Sequence, residues 1–186
     1  MKLDVTSLSL PDVKLIRSAR ISDARGFFAE TYVHRDFAAA GIAGEFVQDN
    51  QSLSVSAGTV RALHFQIPPF AQAKLVRVLR GKILDIVVDL RRSSVTFGKH
   101  LAVELSAAGG EQLYVPIGFA HGFCTLVPDT EVFYKVNNVY SPSHDSGLNW
   151  SDPALGIRWP VSNSQAILSD KDRALPFLNE LTVYFS

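Results

Sequence analysis

Five side chains able to move or hold protons recur along this chain in segments that read as strands. His64 lies in Gly58-Thr-Val-Arg-Ala-Leu-His-Phe-Gln66 and Lys74 in Gln72-Ala-Lys-Leu-Val-Arg77. His121 follows in Pro116-Ile-Gly-Phe-Ala-His-Gly-Phe123, Tyr134 in Glu131-Val-Phe-Tyr-Lys135, and Asp172 in Leu168-Ser-Asp-Lys-Asp172. A base, a cation, a phenolic acid and a carboxylate to orient a histidine make a proton-transfer set. Each has a plainer reading when taken singly. A strand histidine commonly only hydrogen-bonds, Lys74 could be a solvated strand residue, the tyrosines could be ordinary barrel aromatics, and Asp172 could decorate a terminal helix. Their coincidence favours chemistry. Strand alternation puts Val60, Ala62 and His64 on one face and Arg61, Leu63 and Phe65 on the other.

The elements that would position them are short. Strand-like runs are read at 13–17, 27–32, 46–56, 59–66, 73–80, 82–89, 100–105, 112–115, 122–127 and 130–138, separated by Gly, Pro, Ser or Asn turns. Regular short strands of this kind predict an all-β sandwich or barrel. His34–Ala40 suits a helix that Gly41 ends, and Ser169 suits the cap of a short helix reaching Leu175. Pro142, Pro153, Pro160 and Pro176 exclude long helices from the last part of the chain. No linker, repeat or low-complexity segment divides the 186 residues, which are read as one domain spanning 1–186.

Charge narrows the partners. Lys plus Arg and Asp plus Glu number 18 each, so nothing points to nucleic acid or a membrane surface. The one cysteine, Cys124, allows no internal disulfide and sits in an apolar run as a small filler. No signal-peptide pattern and no spanning apolar run is seen, so a soluble, cytoplasmic protein is expected.

Two segments resemble the paired motifs of the cupin superfamily, a small jelly-roll barrel. Gly110, Pro116, Gly118 and His121 match the second motif, with Thr125 where Asn is usual. In the first, Gly58 and His64 match, but Gln66 replaces the second histidine ligand, and Phe70 and Ala71 occupy the neighbourhood of the expected Glu. A metal needs about three converging protein ligands, and only His64 and His121 remain. A barrel without a metal site is therefore expected, active with no metal or nicotinamide.

Taken together, Arg25-Gly-Phe-Phe-Ala-Glu30, Phe46-Val-Gln-Asp-Asn50, Val60–Gln66, Gln72–Arg77, Pro116–Phe123, Tyr134-Lys, Tyr140-Ser-Pro, Trp150-Ser-Asp-Pro and Leu168–Asp172 resemble the dTDP-4-dehydrorhamnose 3,5-epimerase family, over nearly the whole chain. The resemblance implies a cupin-type jelly-roll with short peripheral helices. It implies a dTDP-4-keto-6-deoxy sugar as substrate, no cofactor, and a homodimer. His64 would be the base, with Asp172 as its partner. Asp170 is a rival that the family pattern disfavours. Lys74 would stabilise an enolate and Tyr134 would be the opposite-face acid. Arg25, Glu30, Gln48, Asn50, Arg61, His121, Asp145 and Lys171 would bind substrate, and Tyr140 would stack on the thymine. Two departures are Ala62 for the usual Gly, which would narrow the pocket beside the base, and Asp145 where Glu is expected.

The chemistry fits such a set. Removing a C–H beside a ketone leaves an enolate whose oxygen needs a cation or donor, and inversion needs a second proton source on the other face. Competing readings are an epimerase or isomerase acting at C3 or C5 alone, a metal-dependent cupin oxygenase, and a jelly-roll sugar-binding module without catalysis.

Overall fold

The computed structural model describes residues 3–42, 44–182 and 185–186. Eleven of its strands form two antiparallel sheets that face each other as a jelly roll. The six-stranded sheet runs, in spatial order, β1 (Leu3–Ser7), β2 (Lys14–Ser18), β10 (Glu111–Val115), β7 (Lys74–Arg80), β12 (Thr130–Val136) and β5 (Gln48–Ser54). The five-stranded sheet runs β13 (Asp145–Gly147), β6 (Val60–Gln66), β11 (Phe119–Thr125), β8 (Lys82–Asp89) and β9 (His100–Ser106). A separate hairpin pairs β3 (Ile21–Asp23) with β4 (Gly26–Phe28).

Three apolar layers hold the sheets. Between them, Val76, Val78, Ile83, Val87, Leu113 and Phe123 form the barrel interior. The outer face of the five-stranded sheet carries Ala62, Leu63, Phe65, Ile86 and Cys124, covered by Leu148, Trp150 and Leu155 from the C-terminal segment. The outer face of the six-stranded sheet carries Ile16, Leu75 and Tyr114, covered by Phe37 of helix α1 (His34–Ala39) and by Ile42. Because both faces of β11 are covered, all seven of its residues are buried. The chain passes from β7 into β8 at Gly81, whose φ of +81° a side chain would resist.

The main strands fall where alternation places them, and β8 agrees to the residue. The predicted helix at His34–Ala40 is α1, and Ser169 caps α2 (Asp170–Arg173) by accepting the Asp172 N–H at 3.1 Å. The run 27–32 does not form one strand; only Gly26–Phe28 pairs, with its Phe27 and Phe28 exposed. The strands β1, β3 and β13 are absent from the sequence reading, and β11 begins three residues earlier than expected.

The alternation expected across β6 also fails, with consequences for the site. Its register against β11 shifts, pairing His64 with His121 but Arg61 with Phe123. Three residues of β6 thus span two of β11, a bulge of the kind that re-aims side chains. Arg61 and His64 therefore both line the cavity, while Ala62 and Leu63 turn to the outer core. Ala62 does not narrow the pocket: it is fully buried and lies against Gly122.

A β-carbon at Gly122 would lie 2.5 Å from that of Ala62 and 2.7 Å from the Arg61 carbonyl oxygen. Gly122→Ala is expected to destabilise the fold by about 1–3 kcal/mol, read as a lower urea midpoint, through overpacking against backbone. An unchanged midpoint would mean that the bulge has slack.

Candidate active site

The bulge, the C-terminal segment and the facing sheet meet at one end of the barrel, around a cavity of about 510 Å³ lined by Arg61, His64, Lys74, His121, Tyr134 and Asp172, among others. A smaller cleft of about 180 Å³ shares His64, Lys74, Tyr134 and Lys171, and adds Gln48, Asn50, Tyr140 and Asp145.

Backbone pairing brings Asp172 to His64 from a distant part of the sequence. The Ile167 N–H donates to the Gly58 carbonyl at 3.0 Å, and the Val60 N–H donates to the Ile167 carbonyl at 2.9 Å. This parallel bridge sets α2 against β6. Asp172 Oδ1 then lies 2.7 Å from His64 Nε2, whereas Asp170 is exposed at the helix start. Burial opposes ionisation of Asp172. The His64 hydrogen bond and charge, the Ala62 N–H and the Ser169 hydroxyl outweigh it and hold the carboxyl below its usual range. A carboxylate only accepts, so His64 Nε2 carries the proton and Nδ1 is left with its lone pair.

Lys74 stands on β7, in the opposite sheet. It is only 8% exposed, and its Nζ donates to the His64 carbonyl at 3.2 Å. Burial pulls its pKa down to about 8 against the attraction of Asp145 and Asp85. Tyr134, on β12, has its phenol pKa raised mainly by burial, with Arg61 acting in the other direction. It therefore keeps its proton at neutral pH. His121, on β11, places Nε2 3.0 Å from Asp85 Oδ2.

The mouth is pre-assembled. Tyr140 donates its hydroxyl to Asp145 Oδ2 at 2.9 Å, and the Lys171 ammonium binds the same oxygen. The Tyr140 N–H donates to Gln48 Oε1 at 2.9 Å, and Gln48 Nε2 donates to Asn50 Oδ1 at 2.8 Å. Arg61 is held by Ser54 Oγ and the Leu53 carbonyl. Asp145, where Glu was expected, is thus tied to both Tyr140 and Lys171.

Two anticipated residues are elsewhere. Arg25 lies in the turn of the β3–β4 hairpin, paired with Asp23 at 2.6 Å and exposed, and Glu30 is exposed beyond β4. Neither lines either part of this chain's cavity, because the hairpin belongs to neither main sheet. Gln66 does structural work instead of meeting His64 at a shared ligand. Its Nε2 donates to the Phe70 and Val139 carbonyls and its Oε1 accepts the Ser141 N–H. Among the described residues, no three His, Cys, Asp or Glu side chains converge as a metal site. Sequence reasoning missed Asp85, although a lone acid in the apolar run Ile83-Leu84-Asp85-Ile86-Val87-Val88 is itself a signal.

The family model described as dTDP-4-dehydrorhamnose 3,5-epimerase matches residues 7–180. A relative of that name from Sinorhizobium fredii is 51% identical over 179 residues, covering 96% of this chain and 91% of its own length. The structure of dTDP-4-dehydrorhamnose 3,5-epimerase from Bacillus anthracis, with TDP and PPi bound, superposes with a TM-score of 0.92 at 50% identity, covering 95% of this chain and 99% of that one. The Legionella pneumophila dTDP-6-deoxy-D-glucose-3,5-epimerase, in complex with dTDP-4-keto-L-rhamnose, gives 0.92 at 37% identity, covering 97% and 95%.

A cation with a pKa of about 8 gives the site an alkaline limit. Lys74 is charged below that value and neutral above it, so turnover that needs the ammonium is expected to fall as pH rises through about 8. A pH–rate profile flat through that range would remove Lys74 from any charged role.

Proposed function

Because the chain belongs to the dTDP-4-dehydrorhamnose 3,5-epimerase family, we propose that it inverts C3 and C5 of dTDP-4-keto-6-deoxyglucose to give dTDP-4-keto-L-rhamnose. The observation that carries the mechanism is His64 on one sheet, held by Asp172 of α2, with Lys74 and Tyr134 on the sheet opposite.

His64 Nδ1 takes the proton from the carbon next to the ketone. Asp172 holds the ring in the tautomer that leaves Nδ1 free and stabilises the imidazolium that forms. The enolate oxygen meets the Lys74 ammonium in a cavity where little water competes. Tyr134, still protonated, delivers its proton to the opposite face. Once His64 has released its proton to solvent and Tyr134 has regained one, the cycle repeats at the second carbon with no new group, because the 4-keto group lies between C3 and C5 and activates both.

The nucleotide is assigned to the mouth. Tyr140, fixed by Asp145, offers its ring to the thymine, and Arg61 and Lys171 offer charge to the phosphates, with Gln48 and Asn50 beside them. A homodimer is part of the same proposal. The β3–β4 hairpin exposes Ile21, Phe27 and Phe28, and a second copy would cover them. Arg25 and Glu30, on that arm, would then serve the partner's mouth. A cytoplasmic location is assigned with the nucleotide-sugar substrate, and no helix among the described residues is long and apolar enough to cross a membrane.

Incubation of dTDP-4-keto-6-deoxyglucose in heavy water, followed by NMR, tests the reaction: deuterium is expected at C3 and C5 with inversion at both. Exchange at one carbon alone would make the protein a single-carbon epimerase. His64→Asn is expected to abolish exchange and epimerisation together. Tyr134→Phe is expected to keep exchange but return the proton largely to the original face. Near-normal inversion by the Tyr134→Phe enzyme would assign the acid elsewhere.

A further inference from the structure

Asp85 is the most deeply enclosed charged group beside the cavity. It sits on the inner face of β8 between Ile83 and Val87 and has no exposed surface. Both of its carboxylate oxygens lie 3.0 Å from His121 Nε2; Oδ2 shares the hydrogen bond, and Oδ1, though equally near, makes none. A fully buried carboxylate whose one hydrogen-bond partner is a single ring nitrogen is costly and calls for an explanation. Nothing in the barrel's packing needs it, since its neighbours along the strand are aliphatic. Burial pushes the Asp85 carboxyl above its usual range, and the pull that opposes it comes from His121 and, on the facing sheet at the cavity wall, from Lys74.

We propose that Asp85 is a positioning residue of the reaction: it holds His121 by Nε2 and supplies the buried negative charge that keeps the Lys74 ammonium in the cavity wall. The proposal rests on the epimerase reading for its catalytic meaning. With Nε2 on Asp85, the ring nitrogen His121 has left for a ligand is Nδ1, so Asp85 fixes which atom faces the substrate. Its second effect is electrostatic. Lys74 has lost nearly all its water, and burial alone favours its neutral form. The groups sharing its cavity are Arg61 and His64 of β6, His121 of β11, Tyr134 of β12, and Lys171 and Asp172 of α2, with Asp145 of β13 at the mouth. Of these and Asp85, the two whose charge draws the Lys74 pKa back up are Asp145 and Asp85. Asp145 is already bound to Lys171 at the mouth. Asp85 is the one held beneath the surface, where water screens least.

Two measurements test this. Asp85→Asn keeps the shape and an acceptor for His121 but removes the charge. The alkaline limb of its kcat profile should move to lower pH by about 1–3 units, the usual effect of losing a close opposite charge. KM for the nucleotide sugar should change less than kcat, because Asp85 does not touch the ligand. A folded Asp85→Asn enzyme with the wild-type limb overturns the proposal. The second measurement needs neither substrate nor that variant. The carboxyl carbon-13 signal of Asp85 is followed against pH in the wild type and in Lys74→Met. The expected result is an ionised carboxylate at neutral pH in the wild type, with a midpoint that rises when the lysine is removed. A protonated Asp85 at neutral pH, or a midpoint unmoved by Lys74→Met, overturns the proposal. If the wild type fails to exchange deuterium into the keto sugar, the epimerase reading falls, while the titration still decides whether Asp85 and Lys74 are coupled.

Discussion

The parallel bridge between Ile167 and the Gly58–Val60 backbone is the contact on which the rest of the site depends. It fastens the C-terminal segment along the start of β6. From there Ser169 caps α2, and the cap fixes the height at which Asp172 stands over His64. The same segment seals the outer face of the five-stranded sheet with Leu148, Trp150 and Leu155. One piece of chain therefore supplies both the apolar cover and the carboxylate. Coupling these two duties means that the histidine is oriented only when the sheet is closed.

Within that frame, the barrel's inner face divides into two regions. One end is filled by Val, Ile, Leu and Phe at close packing. At the other, each histidine comes with its own carboxylate, His64 with Asp172 and His121 with Asp85, while Lys74 and Arg61 donate to neighbouring neutral oxygens. The two histidines face each other across adjacent strands, yet each is claimed by its own carboxylate. Gln66, with its amide engaged by three loop backbone groups, ties the loops of residues 67–70 and 139–141 instead. The geometry thus separates the histidines into independent acid–base units rather than joining them at a common ligand.

Much of this frame could be read from the sequence, for identifiable reasons. Strands with strong period-two or doubly buried patterns, such as Lys82–Asp89, carry their own signal. Asp145–Gly147 does not, because Asp-Ser-Gly becomes a strand only by pairing with Gln66 to His64. The clustering of His64, Lys74, His121, Tyr134 and Asp172 was anticipated as a set. The route by which Arg61 joins them was not, because a bulge depends on the fit of Ala62 against Gly122 on another strand. Arg25 and Glu30 were grouped with the pocket by motif, but their position is set by a hairpin outside both main sheets. Asp85 went unnoticed because its meaning lies in what it faces, and facing across a barrel is a tertiary property.

Cys124 lies on the outer-core side of β11, enclosed on every side, with its thiol pushed up to about 11 by burial. At neutral pH only about one thiol in ten thousand would be a thiolate, the form that oxidants and electrophiles attack. Among the described residues, neither cysteine nor methionine lines the cavity. The reactive groups on its wall, among the described residues, work by proton affinity or charge, none by sulfur. The redox state of the surroundings therefore has little purchase on this catalyst, and thiol-directed reagents should leave it intact while the fold holds.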